Sequence, residues 1–378
     1  MRFLRCIWSI VYRLFFVFRI DNNKVLFTSF YGKGYGDSPK YIAEILKEYN
    51  FKLYWTINAS CMDEFPPYIL PLKKNRINWL YHMATSGVWI DNCRKQRWIS
   101  KRSKQFYIQT WHGGICLKKI EMDAMGTLQK EYIEAAQHDS KMINAFISAS
   151  SYQTELIKKS FWYNGDIIET GLPRSDIFYN NTKETRRKVC DCFGIDYNDG
   201  IILYAPTFRN SNNLSVYNLD SDRIIRVCEE KWDSRYRMII RLHPNVSNEC
   251  KQFSYNKSVI NGSYYPDSNE LICASDVIIT DYSSIMFEAL ENSSIVFLYA
   301  SDLSSYINER DGFYFSFDEL PFDFAETNNQ LEKCIRNFDY KRYKLETDTF
   351  QNRIKSFNDG FASKRVVEYI LEQRKQAL

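Results

Sequence analysis

Short apolar runs alternate with amphipathic stretches along most of this chain. Runs rich in Val, Ile, Phe and Tyr are typical of buried strands, and apolar residues spaced three and four apart indicate helices. The apolar runs predict strands at Lys24–Phe30, Phe51–Ile57, Gly87–Asp91, Gln105–Thr110, Ala145–Ser148, Gly200–Tyr204, Arg237–Leu242, Ser258–Asn261, Val277–Thr280 and Ser294–Tyr299. The amphipathic stretches predict helices at Pro39–Tyr49, Lys130–Asp139, Ser151–Ser160, Ser221–Lys231, Ser284–Leu290 and Ser363–Lys375. This alternation predicts an α/β fold built from doubly wound parallel sheets.

The length of the chain predicts more than one domain. A chain of 378 residues is too long for one ordinary core and suits two domains. The sequence becomes polar and charged at Asn180–Arg187, which we take as the linker. We therefore expect one domain at residues 21–180 and a second at 181–378 that includes the C-terminal helix. A cleft between two such halves is the usual place for a ligand.

The first 20 residues have a separate character, because they are apolar and aromatic with several Arg and no acid. No uninterrupted apolar run or small-residue cleavage site marks a signal peptide, and a spanning helix would bury its Arg side chains at high cost. On a helix with 100° per residue, an arc of roughly 120° contains Arg2, Arg5, Ser9, Arg13 and Arg19, but also Tyr12, Phe16 and Ile20. This pattern predicts an amphipathic helix lying on an anionic membrane surface. The alternative is a basic helix packed on the protein itself.

Composition narrows the function without identifying it. The net charge is only +4, so no nucleic-acid partner is expected, whereas an anionic substrate or membrane surface fits. The ten cysteines show no paired rhythm, and Cys190 and Cys192 form a single C-x-C with no second pair nearby. We therefore expect no metal site and no cofactor.

The run from Asp276 to Glu288 is the first candidate for chemistry. A buried strand leads directly into a turn and a helix, so the turn exposes N–H groups that suit a phosphate. The hydroxyls of Ser283 and Ser284 add donors, and Asp281 or Ser283 is a candidate helix cap. Capping alone is an equally good interpretation of this stretch.

Two histidines also follow predicted strands. His112 stands in Gln109–Gly114, where the two glycines Gly113 and Gly114 permit close approach of a ligand, and a His there suits a general base. His243 follows Arg241 by two positions, so both side chains face the same side and suit a diphosphate. Gly171–Asp176 and Ala205–Arg209 are weaker strand-end clusters that each contain an Arg.

Three further patterns do not indicate a nucleotide or metal site. The glycines at 32, 34 and 36 do not form the dinucleotide fingerprint, and no G-x-x-x-x-G-K-[ST] phosphate loop is present in the sequence. Asp220 and Asp222 imitate a D-x-D metal motif, but their polar surroundings favour a loop or a helix cap.

Taken in order along the chain, these motifs resemble those of the CDP-glycerol glycerophosphotransferases, which include teichoic-acid primases and polymerases. The motifs are Phe30–Lys33 with Asp37–Lys40, Gln109–Gly113, Glu169–Asp176, Ala205–Arg209, Arg241–Pro244, Thr280–Ser284 and Arg310–Phe315. The resemblance implies two Rossmann-like domains of the glycosyltransferase-B architecture and no required metal. It also implies a peripheral protein on the cytoplasmic face of the cell membrane, in agreement with the predicted N-terminal helix.

The resemblance further implies how the residues divide the reaction. CDP-glycerol would bind the C-terminal half, with its diphosphate at Ser283, Ser284, Arg241 and His243. The hydroxyl of a lipid-linked saccharide or polyol-phosphate acceptor would attack the β-phosphorus, and CMP would leave. His112 is the expected general base, and Asp37 is a candidate to bind or activate the acceptor hydroxyl. The remaining expected ligand contacts are Trp111, Gly113, Gly114, Arg174, Pro206, Thr207, Arg209, Asp281 and Glu288.

Three alternatives stay open at this point. The family usually continues its Trp-His-Gly with Thr-Pro, whereas this chain has Gly114 and Ile115, so CDP-ribitol is an alternative donor. An ordinary nucleotide-sugar glycosyltransferase would use the same architecture and phosphate site. A non-catalytic, membrane-bound lectin is the third class, and the two strand-end histidines argue against it. The sequence leaves a homo-oligomer open.

Overall fold

A computed structural model describes residues 2–59, 61, 65–209, 217–242, 255–308 and 312–376. Its helices are α1 (Arg2–Leu14), α2 (Asp37–Leu46), α3 (Ile77–Thr85), α4 (Lys130–Ser140), α5 (Ser151–Ser160), α6 (Thr182–Phe193), α7 (Ser221–Trp232), α8 (Ser268–Ala274), α9 (Ile285–Glu291), α10 (Leu303–Asn308), α11 (Asn328–Arg336), α12 (Tyr340–Ile354) and α13 (Ala362–Gln376). Its strands are β1 (Asp21–Thr28), β2 (Lys52–Ile57), β3 (Ile69–Lys73), β4 (Ser86–Asp91), β5 (Phe106–Gln109), β6 (Ala145–Ile147), β7 (Asp166–Ile168), β8 (Gly200–Tyr204), β9 (Tyr236–Ile240), β10 (Val259–Asn261), β11 (Val277–Thr280), β12 (Ile295–Tyr299) and β13 (Asp323–Ala325). His243 and Arg310 lie outside the described residues.

The chain forms two compact units, each built around its own parallel sheet. The first unit contains residues 1–114, 120–176 and 356–378, and the second contains residues 115–119 and 177–355. An α/β fold with two parallel-sheet units was predicted from the strand–helix alternation, and the structure confirms it. The boundaries differ from the expected one at residue 180, however. The first unit ends at residue 176 and resumes at residue 356, because α13 packs on it.

The sheet of the first unit has seven strands among the described residues, in the order β3-β2-β1-β4-β5-β6-β7. Every neighbouring pair is parallel. The chain runs outward from β1 to β3 and then returns to β4 on the other side of β1, so the strand order reverses between β1 and β4. In sheets of this kind, ligands bind at the carboxyl ends of the strands beside the point of reversal.

Helix α13 belongs to the core of the first unit, although the sequence placed it with the second domain. Its apolar residues Val366, Val367 and Ile370 are buried in the same cluster as Val25 and Ile42. The helix packs against α2. An amphipathic pattern shows that a helix must bury one face, but it does not show which sheet covers that face.

The sheet of the second unit contains six strands within the described ranges, in the order β10-β9-β8-β11-β12-β13. Here the strand order reverses between β8 and β11. The expected linker at 180–187 instead contains the start of α6, which packs against α8. Its charged residues take part in defined contacts, since Arg186 donates to the Ala274 carbonyl at 2.6 Å and to both carboxylate oxygens of Asp276.

All ten predicted strands are present, and the structure adds β3, β7 and β13. Each added strand lies at the edge of its sheet. Strand β3 contains Pro71, which edge strands tolerate and central strands do not, and only Ile69 and Leu72 of its five residues are buried. Short and half-exposed strands lack the continuous apolar run by which the central strands were predicted.

Helix α1 packs on the rest of the first unit through Tyr12. The Tyr12 side chain is fully buried and its hydroxyl donates to the Ser100 carbonyl at 2.7 Å. The Phe16 ring lies 5.3 Å from the Arg102 guanidinium. Within the described residues, no helix combines the length and the apolar character needed to cross a membrane.

Candidate functional site

The first unit gathers polar side chains at the carboxyl edge of its sheet, beside the reversal between β1 and β4. Asp37 opens α2 in the connection that follows β1, and Asn92 follows β4 directly. His112 lies in the loop after β5, and Arg174 lies in a turn after β7. Three of these residues, Asp37, His112 and Arg174, were predicted from the sequence, and Asn92 was not.

The carboxylate of Asp37 is the centre of a buried network. Its Oδ2 accepts a hydrogen bond of 2.7 Å from the side-chain amide of Asn92. Its Oδ1 accepts from the Ser38 backbone N–H at 2.6 Å and from the Arg174 guanidinium at 3.2 Å. The Asp37 and Arg174 side chains are only 2% and 5% exposed, so this ion pair is shielded from water. These hydrogen bonds hold the Asp37 carboxylate in one orientation.

The hydrogen bonds around His112 define its tautomer. Nδ1 lies 2.8 Å from the Asn92 carbonyl oxygen, which can only accept, so Nδ1 carries the proton and donates it. Nε2 is then the basic nitrogen. The Arg174 guanidinium donates to the His112 carbonyl at 3.0 Å. Desolvation lowers the pKa of His112 below its ordinary value, and the Asn92 carbonyl and the Asp37 carboxylate oppose this shift.

The loops around this network hold several residues in left-handed backbone conformations. The non-glycine residues concerned are Phe30 (φ 45°), Tyr31 (φ 60°), Asp37 (φ 59°) and Trp111 (φ 55°). Such conformations cost about 1–3 kcal/mol each and persist where surrounding contacts enforce them. Strain of this kind concentrates at sites where side chains must be held in one orientation.

The ring of Trp111 packs against that of His112 and is itself buried. Its ring centroid lies 4.3 Å from that of His112, and the Arg94 guanidinium lies 5.6 Å from the indole ring. Arg94 forms a buried ion pair of 2.6 Å with Glu121 and a longer one of 3.4 Å with Asp139. Burial raises the pKa of Asp139 to about 6, and the charge of Arg94 opposes this shift. No motif in the sequence indicates this network, because its members are distant from one another in the chain.

The two glycines after His112 serve the packing of the loop. The Gly113 carbonyl accepts a hydrogen bond of 2.9 Å from the Gln153 side chain. A Cβ on Gly114 would lie 3.0 Å from Leu172 Cδ1 and 3.3 Å from the Ala149 Cβ. A neighbouring side chain therefore accounts for the absence of a side chain at Gly114.

In the second unit, the strand ends singled out from the sequence are neighbours. Pro206 and Thr207 follow β8, Arg241 follows β9, and Asp281 follows β11. These strands are adjacent in the order β9-β8-β11, so their carboxyl ends share one edge of the sheet. The reversal between β8 and β11 lies at the same place, which makes this edge the expected ligand site of the unit.

Arg209 is held inside this edge by charge and by aromatic rings. Its guanidinium donates to Asp281 Oδ2 at 2.8 Å and to both oxygens of Asp302, at 2.7 and 3.0 Å. It lies 4.7 Å from the rings of both Tyr282 and Tyr306. Arg209 is only 5% exposed. Its hydrogen bonds therefore hold Asp281 and Asp302 in place from the interior of the unit.

Thr207 and Arg241 retain unused binding capacity. The Thr207 backbone N–H donates to Asp281 Oδ1 at 2.8 Å, but its buried hydroxyl has no hydrogen-bond partner among the described residues. Arg241 donates to the carbonyls of Tyr265 and Gly262, at 2.6 and 3.4 Å, and forms no ion pair within the described part of the chain. Burial lowers the pKa of Arg241, and the charge of Asp267 opposes this shift.

The serine pair lies where β11 turns into α9. The Ser283 hydroxyl accepts a long hydrogen bond of 3.4 Å from the Ile285 backbone N–H. Ser284 is the N-cap residue of α9, and its side chain makes no capping hydrogen bond. Glu288 is 9% exposed on the buried face of that helix.

Comparison with known proteins assigns the chain to a family. A family model for CDP-glycerol:poly(glycerophosphate) glycerophosphotransferase matches residues 10–372. The chain belongs to this family. The membership confirms the resemblance on which the sequence-based expectation of function rested.

Relatives of this chain are teichoic acid enzymes. A poly(glycerol phosphate) polymerase of Bacillus spizizenii is 30% identical over 97% of this chain and 96% of the relative. One from Bacillus subtilis is 29% identical over 93% of this chain, which spans only 49% of that longer protein. A solved structure of the wall teichoic acid polymerase TagF has a TM-score of 0.86 and 27% identity, and covers 98% of this chain and 95% of that one.

Asn92 is a functional candidate that the sequence did not indicate. It holds His112 through its main-chain carbonyl and Asp37 through its side-chain amide. A carbonyl carries no sequence signature, so only its position directly after β4 offered a signal. Within the described ranges, no group of three or more His, Cys, Asp or Glu is arranged to hold a metal ion.

Proposed function

We propose that this chain transfers glycerol phosphate from CDP-glycerol to a hydroxyl of a membrane-bound glycan or polyol-phosphate acceptor, with release of CMP. The family supports the donor and the reaction. The observation that carries the proposal is the orientation of His112. Its Nδ1–H is bound to the Asn92 carbonyl, which leaves Nε2 as a neutral base, as deprotonation of an attacking hydroxyl requires.

The second unit is proposed to bind the donor. Diphosphate oxygens need several donors and a positive charge. The hydroxyls of Thr207, Ser283 and Ser284 and the guanidinium of Arg241 supply these along one sheet edge, with His243 as a further expected member. Arg209 acts indirectly in this scheme, because it positions Asp281, which in turn binds the Thr207 backbone.

The reaction follows from these two assignments. The acceptor hydroxyl transfers its proton to His112 Nε2 and its oxygen attacks the β-phosphorus of CDP-glycerol. The bond from that phosphorus to the bridging oxygen breaks, and CMP leaves with the electron pair. Transfers of this kind gain mainly from positioning and from neutralisation of charge on the phosphoryl oxygens.

The test of the proposed function is a donor screen. The purified full chain is incubated with a lipid-linked acceptor and with CDP-glycerol, CDP-ribitol or a UDP-sugar, and release of CMP or UDP is measured. We expect CMP release from CDP-glycerol above all. A preference for a UDP-sugar, or no release from any donor, would overturn the proposal. Preference for CDP-ribitol would leave the reaction type but change the cargo.

Gly114, which prompted the ribitol alternative, favours neither donor. Packing against Leu172 and Ala149 accounts for it without reference to a ligand. Ile115, the other departure from the usual motif, is also buried. Glycerol phosphate therefore remains the group that we propose is transferred.

Replacement of Thr207 by Val is predicted to weaken donor binding without loss of stability. The valine removes a buried hydroxyl that has no hydrogen-bond partner among the described residues, and it keeps the shape. We expect the dissociation constant of CMP, measured by calorimetry, to rise about tenfold, since one hydrogen bond to a charged group is lost. The melting temperature should be equal or higher. An unchanged dissociation constant for CMP would show that the Thr207 hydroxyl does not bind the donor.

We propose that α1 and the turn after it attach the protein to the cytoplasmic face of the membrane. The side opposite the packed Tyr12 presents Ile10, Leu14 and Val17, which are 63%, 64% and 82% exposed. Arg13 and Arg19 are exposed beside this apolar ridge. Exposed apolar side chains next to arginines suit the boundary between acyl chains and anionic headgroups.

A charge placed on this ridge should release the protein from membranes. Replacing Ile10, Leu14 and Val17 together by Glu is expected to abolish flotation with vesicles that contain phosphatidylglycerol. The matched control is Leu345→Glu, at a position that is 69% exposed in the second unit. The control should float like the unmodified chain. Flotation of the triple variant would contradict the role of α1.

A further inference from the structure

The first unit contains a small cavity that none of the proposed steps uses. It lies at the carboxyl ends of β1, β2 and β4 and is lined by Thr28, Thr56, Asp91, Lys95 and Lys74, with Tyr31 among its lining residues. Strands β1 and β4 are the pair between which the strand order reverses. The cavity therefore occupies the place where sheets of this type bind ligands.

The two lysines of the cavity differ in how their charges are neutralised. Lys95 forms a buried ion pair of 2.8 Å with Asp91. Lys74 forms no ion pair with any described residue, and its ammonium lies 5.8 Å from the Tyr31 ring. Burial lowers the pKa of Lys74, and the charge of Asp91 opposes this shift. A half-buried ammonium without a direct ion pair is costly unless an anion joins it.

A hydroxyl of the cavity also lacks an acceptor. The Thr56 oxygen accepts hydrogen bonds of 3.1 Å from the Trp79 indole and from the Thr28 hydroxyl. Both of its lone pairs are therefore used, and its own proton finds no acceptor among the described residues. The cavity thus offers a hydroxyl donor together with a cation, which is the combination that phosphate oxygens accept.

The cavity is close to His112. Burial raises the pKa of the Cys93 thiol, and the Lys74 ammonium acts in the opposite direction, so the two groups lie within electrostatic reach. The same sulfur is 4.0 Å from Nδ1 of His112. Asp91 and Asn92 are consecutive residues, so one strand end supplies both the partner of Lys95 and the carbonyl that orients His112.

We propose that this cavity is a subsite for a phosphate group of the acceptor, with Lys74 and the Thr56 hydroxyl as its ligands. The proposal rests on the proposed function, because it assigns the phosphate to the acceptor whose hydroxyl is attacked. A chain end made of a polyol phosphate presents a phosphate one polyol unit away from its terminal hydroxyl. Lys74 then selects acceptors that already carry a phosphate over acceptors that end in a neutral sugar.

The first test measures binding without turnover. Glycerol 3-phosphate is titrated by calorimetry into the full chain with CMP at saturation, so that the nucleotide site is blocked. We expect binding to the unmodified chain, at least fivefold weaker binding to Lys74→Met, and recovery in Lys74→Arg. The matched control is Lys73→Met, an exposed residue at the end of β3, which should bind like the unmodified chain. Equal affinities for Lys74→Met and the unmodified chain would overturn the subsite.

The second test measures acceptor selection. At saturating CDP-glycerol, Lys74→Met should raise the KM for an acceptor that ends in glycerol phosphate about tenfold, with the KM for CDP-glycerol unchanged. The KM for an acceptor without phosphate should not change. A short soluble glycerol phosphate chain and the same chain on a lipid should respond alike. If only the lipid-linked form responds, the anion belongs to the lipid linkage and the proposal fails. If the unmodified chain releases no CMP, the proposed function fails, and the calorimetric result still decides whether the cavity binds phosphate.

Discussion

Replacement of His112 by Ala should lower kcat by about 10²- to 10⁴-fold, the contribution of a positioned general base. The effect should fall on kcat, because Nε2 acts on the attacking hydroxyl while the ring takes no part in the proposed donor cradle. CMP release under saturating donor and acceptor gives kcat, and calorimetry gives the affinity for CMP. We expect that affinity to change by less than about twofold, since a group that acts only in the transition state contributes little to ground-state binding.

A second histidine provides the matched control for this experiment. His138 lies in α4 and its Nε2 is 2.7 Å from the Ile99 carbonyl, so His138→Ala also removes a ring that is bound to a main-chain oxygen. That variant should keep near-normal turnover. The pH profile adds a further check: because the pKa of His112 is lowered, the acidic fall in kcat/KM should occur below pH 6.5. Near-normal turnover of His112→Ala would remove it from the role of base.

Replacement of Arg174 by Met should cost about 3–5 kcal/mol in the free energy of unfolding. The variant leaves the Asp37 carboxylate buried without its cationic partner, and the two side chains are only 5% and 2% exposed in the unmodified protein. Denaturant unfolding followed by circular dichroism measures the loss. The matched control is Lys344→Met, whose ion pair with Asp348 has side chains that are 60% and 48% exposed. An exposed pair of this kind is worth at most about 1 kcal/mol.

The double variant Asp37→Asn with Arg174→Met separates stability from function. Removing both charges should recover most of the lost stability, because no unpaired charge is left buried. Turnover should stay low, because the guanidinium that binds the His112 carbonyl is still missing. Full recovery of kcat in the double variant would show that the pair serves stability alone. A loss below 1 kcal/mol in Arg174→Met would contradict the buried pairing itself.

Much of the fold was predictable because the central strands are fully buried. Strands such as β8 and β11 have every residue buried, so the sequence shows them as continuous apolar runs. The three added strands are short or incompletely buried and, in β3, contain a proline, so they lack that signal. The assignment of α13 was not predictable, because periodicity reports that a face is buried without naming its partner.

The candidate site was predictable to the extent that it lies at strand ends. The rule that ligands bind at the carboxyl edge led to His112 and Arg241, which the structure places after β5 and β9. The contacts that determine what each residue does came from distant parts of the chain. Asn92 acts on His112 through a main-chain atom, and the carboxylate of Asp37 is occupied by Arg174, so neither relation follows from residue type or spacing.

The position of α13 also has a consequence for synthesis on the ribosome. Residues 177–355, which with a short segment form the second unit, are translated before the helix that completes the first unit. Until residues 362–376 emerge, the apolar surface formed by residues such as Val25 and Ile42 stays uncovered. We therefore expect the nascent first unit to bind chaperones while the second unit is made and folds. Translation of α13 ends this exposure.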